Sequence, residues 1–170
     1  KFTARIPAGT KSATGQTLRK DFTWTFTTPP PKIELAYPQN QVVRRDQLMF
    51  IRFDQAINPA AVLKTIAVNG GSRRLPVRLA TQPEIEADGT INYHVKQSQP
   101  GRWMVLRAVN ADGGAEGAMP GATTITVNVE KGTPSAEGPL ATAARQSFQF
   151  TTYGPFKYNR AYCGWQGKAD

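Results

Sequence analysis

The sequence predicts an all-β sandwich, and three observations predict it. Short segments alternate apolar and polar residues, and Gly, Pro, Asn and Ser separate them at regular intervals. One thirteen-residue pattern occurs twice, as TARIPAGTKSATG at 3–15 and as TVNVEKGTPSAEG at 126–138. Each copy then runs through a loop into an aromatic segment of period two, QTLRKDFTWTFTT at 16–28 and PLATAARQSFQFTT at 139–152.

The repeat sets the domain organisation. Gly15 and Gly138 stand 123 positions apart (138 minus 15) and Thr28 and Thr152 stand 124 apart (152 minus 28), so the second copy has one extra loop residue. Recurrence at so long a period marks a repeated structural unit. Each copy reads as strand, Gly/Ser loop, strand: the last two strands of a sandwich. Period two places Phe22, Trp24 and Phe26 on one face and Thr23 and Thr25 on the other, with Phe148 and Phe150 opposed to Gln149 in the second copy. The expectation is the C-terminal strands of a first domain at 1–28, a Pro-rich linker at 29–32, a complete domain at 33–152 and a connector to a following domain at 153–170. Lys1 opens as though inside a strand, which reads as a piece of a larger protein.

The elements follow in order. Pro29, Pro30 and Pro31 remove three backbone donors and favour an extended spacer. Strands are expected at Lys32 to Ala36, Leu48 to Phe53, Thr65 to Val68, Leu75 to Ala80, Ile91 to Val95, Arg102 to Val109, Thr123 to Val129 and Ser147 to Thr152. A short helix is expected from Asn58 to Lys64, because Asn58 is a good N-cap and Pro59 sits where a missing N–H costs nothing. Val109 to Thr124 is rich in Gly and short side chains and reads as a mobile loop. Leu140 to Ala144 lies in a loop with room for a brief helical turn.

Composition narrows the function classes. No apolar run approaches the roughly 20 residues that a membrane-spanning helix needs. One cysteine, Cys163, excludes an internal disulfide and a multi-cysteine zinc site. Lys and Arg number 21 against 12 Asp and Glu, a formal charge of +9. Such a balance draws proteins to nucleic acid or anionic surfaces. Yet Arg44, Arg45, Arg73, Arg74, Arg78, Arg102, Arg107 and Arg145 are scattered along alternating segments, which reads as a solvated sheet face. No recognition module or aromatic cluster accompanies them, so no nucleic-acid partner is expected.

Catalytic chemistry finds few candidates. PAGTKSATG lacks the Gly directly before Lys that a phosphate loop requires, and a strand rather than a helix follows it. His94 is the only histidine, expected half-exposed on a strand, and no G-x-S-x-G elbow partners it. Asp21, Asp46, Asp54, Glu84, Glu86, Asp88 and Asp112 match no ligand spacing and read as solvated loop charge, Asp54 serving to cap a turn before the short helix. Trp24 and Trp103 are expected in a core or as interdomain wedges rather than, with Trp165, as a sugar platform. Cys163 sits in CGWQ, one position away from the Cys-Gly-Glu-Gln of an internal thioester; Trp165 breaks that motif. A disulfide from Cys163 to a partner outside the fragment is the reading left. No catalytic residue, cofactor site or metal site is expected, and the chain is not read as an enzyme.

These residues carry a resemblance. ARIPAGTKSATGQTLRKDFTWTFTTPPPKI at 4–33 resembles the closing strands of bacterial Ig-like domains of S-layer proteins and, more closely, of the N-terminal half of bacterial alpha-2-macroglobulin-like proteins. RRDQLMFIRFDQAINPAAVL at 44–63 is similar to the strand and short helix of a neighbouring module in that group, and YGPFKYNRAYCGW at 153–165 to a connector. The resemblance implies an Ig-like β-sandwich, one complete domain preceded by the terminal strands of another, in a protein of the periplasm or cell envelope. It implies a structural module whose parent traps proteases, with the other domains of the same chain as direct partners and proteases reached only through the whole parent. A stalk or ligand-binding module of an adhesin or S-layer protein is the alternative. The fragment itself is expected to be monomeric.

Overall fold

The computed structural model describes residues 2–158. The chain is an all-β Ig-like sandwich of two sheets, preceded by a separate two-stranded sheet. That first sheet pairs β1 (Phe2–Ile6) with β2 (Phe22–Phe26) antiparallel. Next come β3 (Ile33–Tyr37), β4 (Val42–Val43), β5 (Met49–Phe53), helix α1 (Pro59–Leu63), β6 (Ile66–Gly70), β7 (Arg73–Leu75) and β8 (Val77–Leu79). Helices α2 (Gln82–Ala87) and α3 (Gly89–Lys96) precede β9 (Trp103–Ala108), β10 (Thr124–Val129) and β11 (Gln146–Thr152). One sheet runs β4-β11-β10-β6-β7 and the other β3-β5-β9-β8.

The main core fills the space between these sheets: Met49, Ile51 and Phe53 of β5 meet Ile125, Val127 and Val129 of β10 and Phe148 and Phe150 of β11. Pro76 divides the expected Leu75 to Ala80 strand in two. β7 pairs with β6 in one sheet, and β8 pairs with β9 in the other, so the proline marks where the chain crosses the sandwich.

Helix α1 forms where the sequence places it: Asn58 Oδ1 accepts from the amides of Ala60 and Ala61 at 3.1 and 3.2 Å. The stretch from Thr81 to Gln97 corrects two expectations. Ile91 to Val95 is helix, not strand, and Glu84, Glu86 and Asp88 belong to helices and their caps, not to a solvated loop. Glu84 Oε2 accepts from the Thr81 amide at 2.8 Å, and Asp88 Oδ1 accepts from the amides of Thr90 and Ile91 at 3.1 Å each. These caps start α2 and α3. Both helices cover the outer face of the β5–β9 sheet, where Leu48, Phe50, Ile85, Ile91 and Val105 make a second core. That cover explains why β5 carries the apolar Phe50 on its outer face, beside Arg52, which pairs with Glu34.

The Gly-rich loop, read as mobile, is anchored near its C-terminal end. Met119 is fully buried, and Arg45 holds the loop by donating to Met119 O at 2.8 Å and to Gly117 O at 3.0 Å. No helical turn forms from Leu140 to Ala144; Thr142 instead is buried against Thr133. The proline linker is gripped by the sandwich: Gln55 donates to Pro29 O and Gln146 to Pro31 O, at 3.1 and 3.0 Å.

Candidate functional site

Ten of the residues that the sequence singles out are placed by the structure: Asp21, Trp24, Asp46, Asp54, Glu84, Glu86, Asp88, His94, Trp103 and Asp112. Cys163 and Trp165 lie outside the described residues. The His94 ring packs against Tyr37, Phe50 and Tyr93, with centroids 5.2, 5.4 and 5.8 Å away, so its contacts are aromatic and not carboxylate. Burial and the charge of Arg52 push its pKa down. An NMR titration should therefore give His94 a midpoint below the ordinary value of about 6.5. Because the unfolded chain then binds the proton more readily, stability falls as pH drops through that ordinary value. A midpoint at or above it would contradict this packing.

The acids are engaged in structure. Glu84 bridges Arg78 and Arg107, both at 3.0 Å or closer. Asp54 does not cap the turn before α1; its Oδ1 accepts from the Lys32 amide at 2.9 Å. Asp21 accepts from the Ala8 amide and pairs with Arg5. Asp46 pairs with Arg44, Glu86 accepts from Gln82, and Asp112 Oδ1 accepts from the Gly114 amide. The reading of the arginines as idle solvated charge is thus corrected for Arg45, Arg78, Arg102 and Arg107. Arg102 donates to Asp54 O, and Arg107 to Asp46 O. Among the described residues no three of His, Cys, Asp or Glu cluster as metal ligands would.

What the structure leaves open is a face of the first sheet. The antiparallel register opposes Phe2 to Phe26, Ala4 to Trp24 and Ile6 to Phe22. All six side chains therefore share one face, as period two requires. Among the described residues Phe22, Phe26 and Trp24 are 58, 50 and 43 % exposed, so Trp24, expected in a core or as an interdomain wedge, is covered by none of them. Trp103 is half-buried and stacks at 6.5 Å on Phe50. A shallow concavity of about 390 Å³ lies between Phe22 and the preceding loop, lined by Ile6, Thr10, Ser12 and Leu18 among others.

The final hairpin shows what such a face looks like when covered. Its register opposes Ile125 to Phe150 and Val127 to Phe148, the pairing that the repeat offsets carry over from Phe2 with Phe26 and Ala4 with Trp24. The loops share three bonds. Gly9 N donates to Leu18 O as Gly132 N does to Thr142 O, each at 2.9 Å. Leu18 N donates to Thr10 O as Thr142 N does to Thr133 O, again at 2.9 Å. Thr10 Oγ1 donates to Pro7 O as Thr133 Oγ1 does to Glu130 O, at 2.8 Å. Gly9 and Gly132 both hold φ at +89°, a left-handed conformation that glycine adopts without strain. Phe148 and Phe150, however, are 5 and 1 % exposed. The same hairpin is thus built twice, once inside a sandwich and once open.

Set beside known proteins, the sequence matches no family model and no curated protein. Among solved structures it is similar to the surface layer protein SbsC, domains 1–6, at 12 % identity with a TM-score of 0.43, over 72 % of this chain and 14 % of that one. The N-terminal part of the bacterial S-layer protein SbsC gives the same identity and TM-score, over 72 % of this chain and 24 % of that one. The chain spans less than a quarter of the length of each of these structures.

Proposed function

We propose that the chain is a non-catalytic structural module of a large bacterial cell-envelope protein, of the S-layer or adhesin kind, in which Ig-like sandwiches follow one another and carry tension. In this reading residues 1–28 end one sandwich, 29–32 link, 33–152 form the next and 153–170 lead onward. One observation carries it: the same hairpin, with the same register and three of the same loop bonds, stands on both sides of a proline linker.

The strand order supports a mechanical role. β4 runs parallel to β11, the last strand. Asn40 N donates to Gln149 O, Thr151 N to Gln41 O and Tyr153 N to Val43 O, at 2.8, 2.8 and 2.9 Å. Tension applied at the linker and after β11 shears these bonds together, whereas an antiparallel terminal pair would open one bond at a time. In single-molecule pulling, the 33–152 module should give one force peak. Its contour gain is on the order of 400 Å, set by about 3.3–3.6 Å per extended residue. Tyr153→Pro removes one clamp donor and should lower that force while costing only about 1 kcal/mol at equilibrium. Unfolding without a resisting peak would refute the role.

A second reading keeps the module and changes its parent. The resemblance of residues 4–33, 44–63 and 153–165 to alpha-2-macroglobulin-like proteins favours a protease trap in the periplasm, where the sandwich positions other working parts. The encoding gene discriminates: a thioester motif in a helical domain supports the trap, and serial sandwiches with a wall anchor support the S-layer or adhesin parent.

A further inference from the structure

Thr28 and Thr152 stand at the same place of the repeat, yet the residue after each takes a different partner. Tyr153 stays with its own sandwich: its amide donates to Val43 O at 2.9 Å, and its carbonyl accepts from Ala122 N at 3.1 Å. Pro29 has no amide to give. Its carbonyl accepts from Gln55 Nε2 of the following sandwich at 3.1 Å. The bonding thus passes from one module to the next between Thr28 and Pro29.

The rest of the linker is held on both sides. The Lys32 amide donates to Asp54 Oδ1 at 2.9 Å, and the Lys32 carbonyl accepts from Asp54 N at 3.1 Å. Gln146 spans Lys32, donating through Nε2 to Pro31 O at 3.0 Å and accepting through Oε1 from Ile33 N at 2.8 Å. Asp54 and Gln55 follow β5 and Gln146 opens β11, so both sheets contribute to the grip. Gln55 is 5 % exposed, and its Oε1 is taken by Ser135 Oγ. Without the linker its buried amide would keep only a 3.5 Å contact with Asp54 Oδ1, and buried donors need acceptors.

Thr28 itself is seated on Gly138. A Cβ at Gly138 would stand 2.5 Å from Thr28 Oγ1 and 3.3 Å from Thr28 Cβ, while the φ of Gly138 lies outside the left-handed region. Glycine at that position therefore serves the approach of Thr28 and not a turn. Pro29 in turn restricts Thr28 to extended backbone. Between Thr28 and the end of β2 at Phe26 stands only Thr27.

We infer that the 33–152 sandwich carries a socket for the tail of the module ahead of it, walled by Gly138, Gln55, Asp54 and Gln146, and that Thr27 is the hinge between the two. The inference rests on the modular reading and adds how consecutive modules are joined. The occupant is an extended tail of the form Thr-Thr-Pro-Pro-Pro, which offers carbonyls to the two glutamines and lays its second threonine over Gly138. The socket, and not the stiffness of the prolines alone, then sets the direction in which the preceding module leaves.

The test is NMR relaxation on the isotopically labelled full chain. The heteronuclear NOE values of Thr28, Lys32 and Ile33 are expected at the level of β10 and β11, with Thr27 below them. The Thr28 methyl should show NOE contacts to the Gly138 α protons. Gly138→Ala should unseat Thr28, so that those contacts vanish and its heteronuclear NOE falls to the Thr27 level, while the amide shifts of β5, β9 and β10 stay in place. Thr28→Ala in that background removes the atom nearest the new methyl and should return residue 28 to its ordered value. A wild-type Thr28 no more ordered than Thr27, missing contacts to Gly138, or a Gly138→Ala variant in which Thr28 stays ordered would each overturn the inference. The force peak of the 33–152 module comes from β4 and β11 and does not require Thr28 to be seated, so failure here and failure of the mechanical reading are separate results.

Discussion

Phe150→Ala is expected to cost about 3 to 5 kcal/mol, and Phe26→Ala less than about 0.5 kcal/mol, although both remove the same side chain from the same position of the repeat. Phe150 is a fully buried residue of β11, packed between the two sheets, so truncation loses its transfer free energy and leaves a cavity that close-packed neighbours cannot fill. Phe26 stacks only on Phe2, at 5.4 Å between centroids, and half its surface already meets water. Its alanine variant gives up one exposed aromatic pair. Against a domain stability of about 5–15 kcal/mol, the first change moves the urea midpoint far and the second hardly at all. Equilibrium unfolding followed by far-UV circular dichroism makes the comparison. Equal losses for the two variants would mean that the first hairpin is packed as the second is, and the open face would not exist.

The repeat was legible because residue type alone writes it. A glycine at φ +89° and threonines that donate to a carbonyl three residues back leave a signature at Gly9 and Gly132 and at Thr10 and Thr133. Local chemistry also announced α1, through Asn58 and Pro59. The helices α2 and α3 were harder to read, because INYHV satisfies a period of two while its helical face depends on a partner. The capping signals, Thr81 with Glu84 and Asp88 ahead of Ile91, were in the sequence. What was not there is the fact that Phe50 turns away from the main core and needs cover.

Non-local contacts account for the other differences. The Gly-rich loop has the composition of a mobile segment, but Arg45, more than seventy positions earlier, anchors its end at two carbonyls, those of Gly117 and Met119. No local pattern encodes such a clamp. For the candidate site, the sequence supplied the aromatic face of Phe22, Trp24 and Phe26 but implied that it was covered. Burial is a property of what lies opposite, and among the described residues nothing covers that face as the sandwich covers Phe148 and Phe150.

Glu84→Gln is expected to destabilise the sandwich by about 2–3 kcal/mol at pH 7, below the 3–5 kcal/mol typical of breaking a fully buried ion pair because Arg78 remains partly in water. The carboxylate receives both Arg78 nitrogens at 2.7 Å, Arg107 Nε at 3.0 Å and the Thr81 amide at 2.8 Å, with only 18 % of the side chain exposed. The glutamine keeps the shape, but it loses the charge and turns an amide donor toward two guanidinium groups. α2 then loses its tie to β8 and β9, and Ile85 and Ile91 lose the element that presses them on Phe50. The Arg78 hydrogen bonds, helped by Thr81 and Arg107 and opposed by burial, hold the Glu84 pKa well below the carboxylate range. As pH falls, the unfolded chain takes up this proton first, near the ordinary glutamate value of about 4.3. The contribution is therefore complete above that value and is lost as pH descends through the lower folded one. The stability gap between wild type and variant should be constant from pH 8 to about 5 and should narrow steadily below about 4.3. A variant within about 0.5 kcal/mol of wild type at pH 7, or a gap that does not change in acid, would show that the helices are held by apolar packing alone.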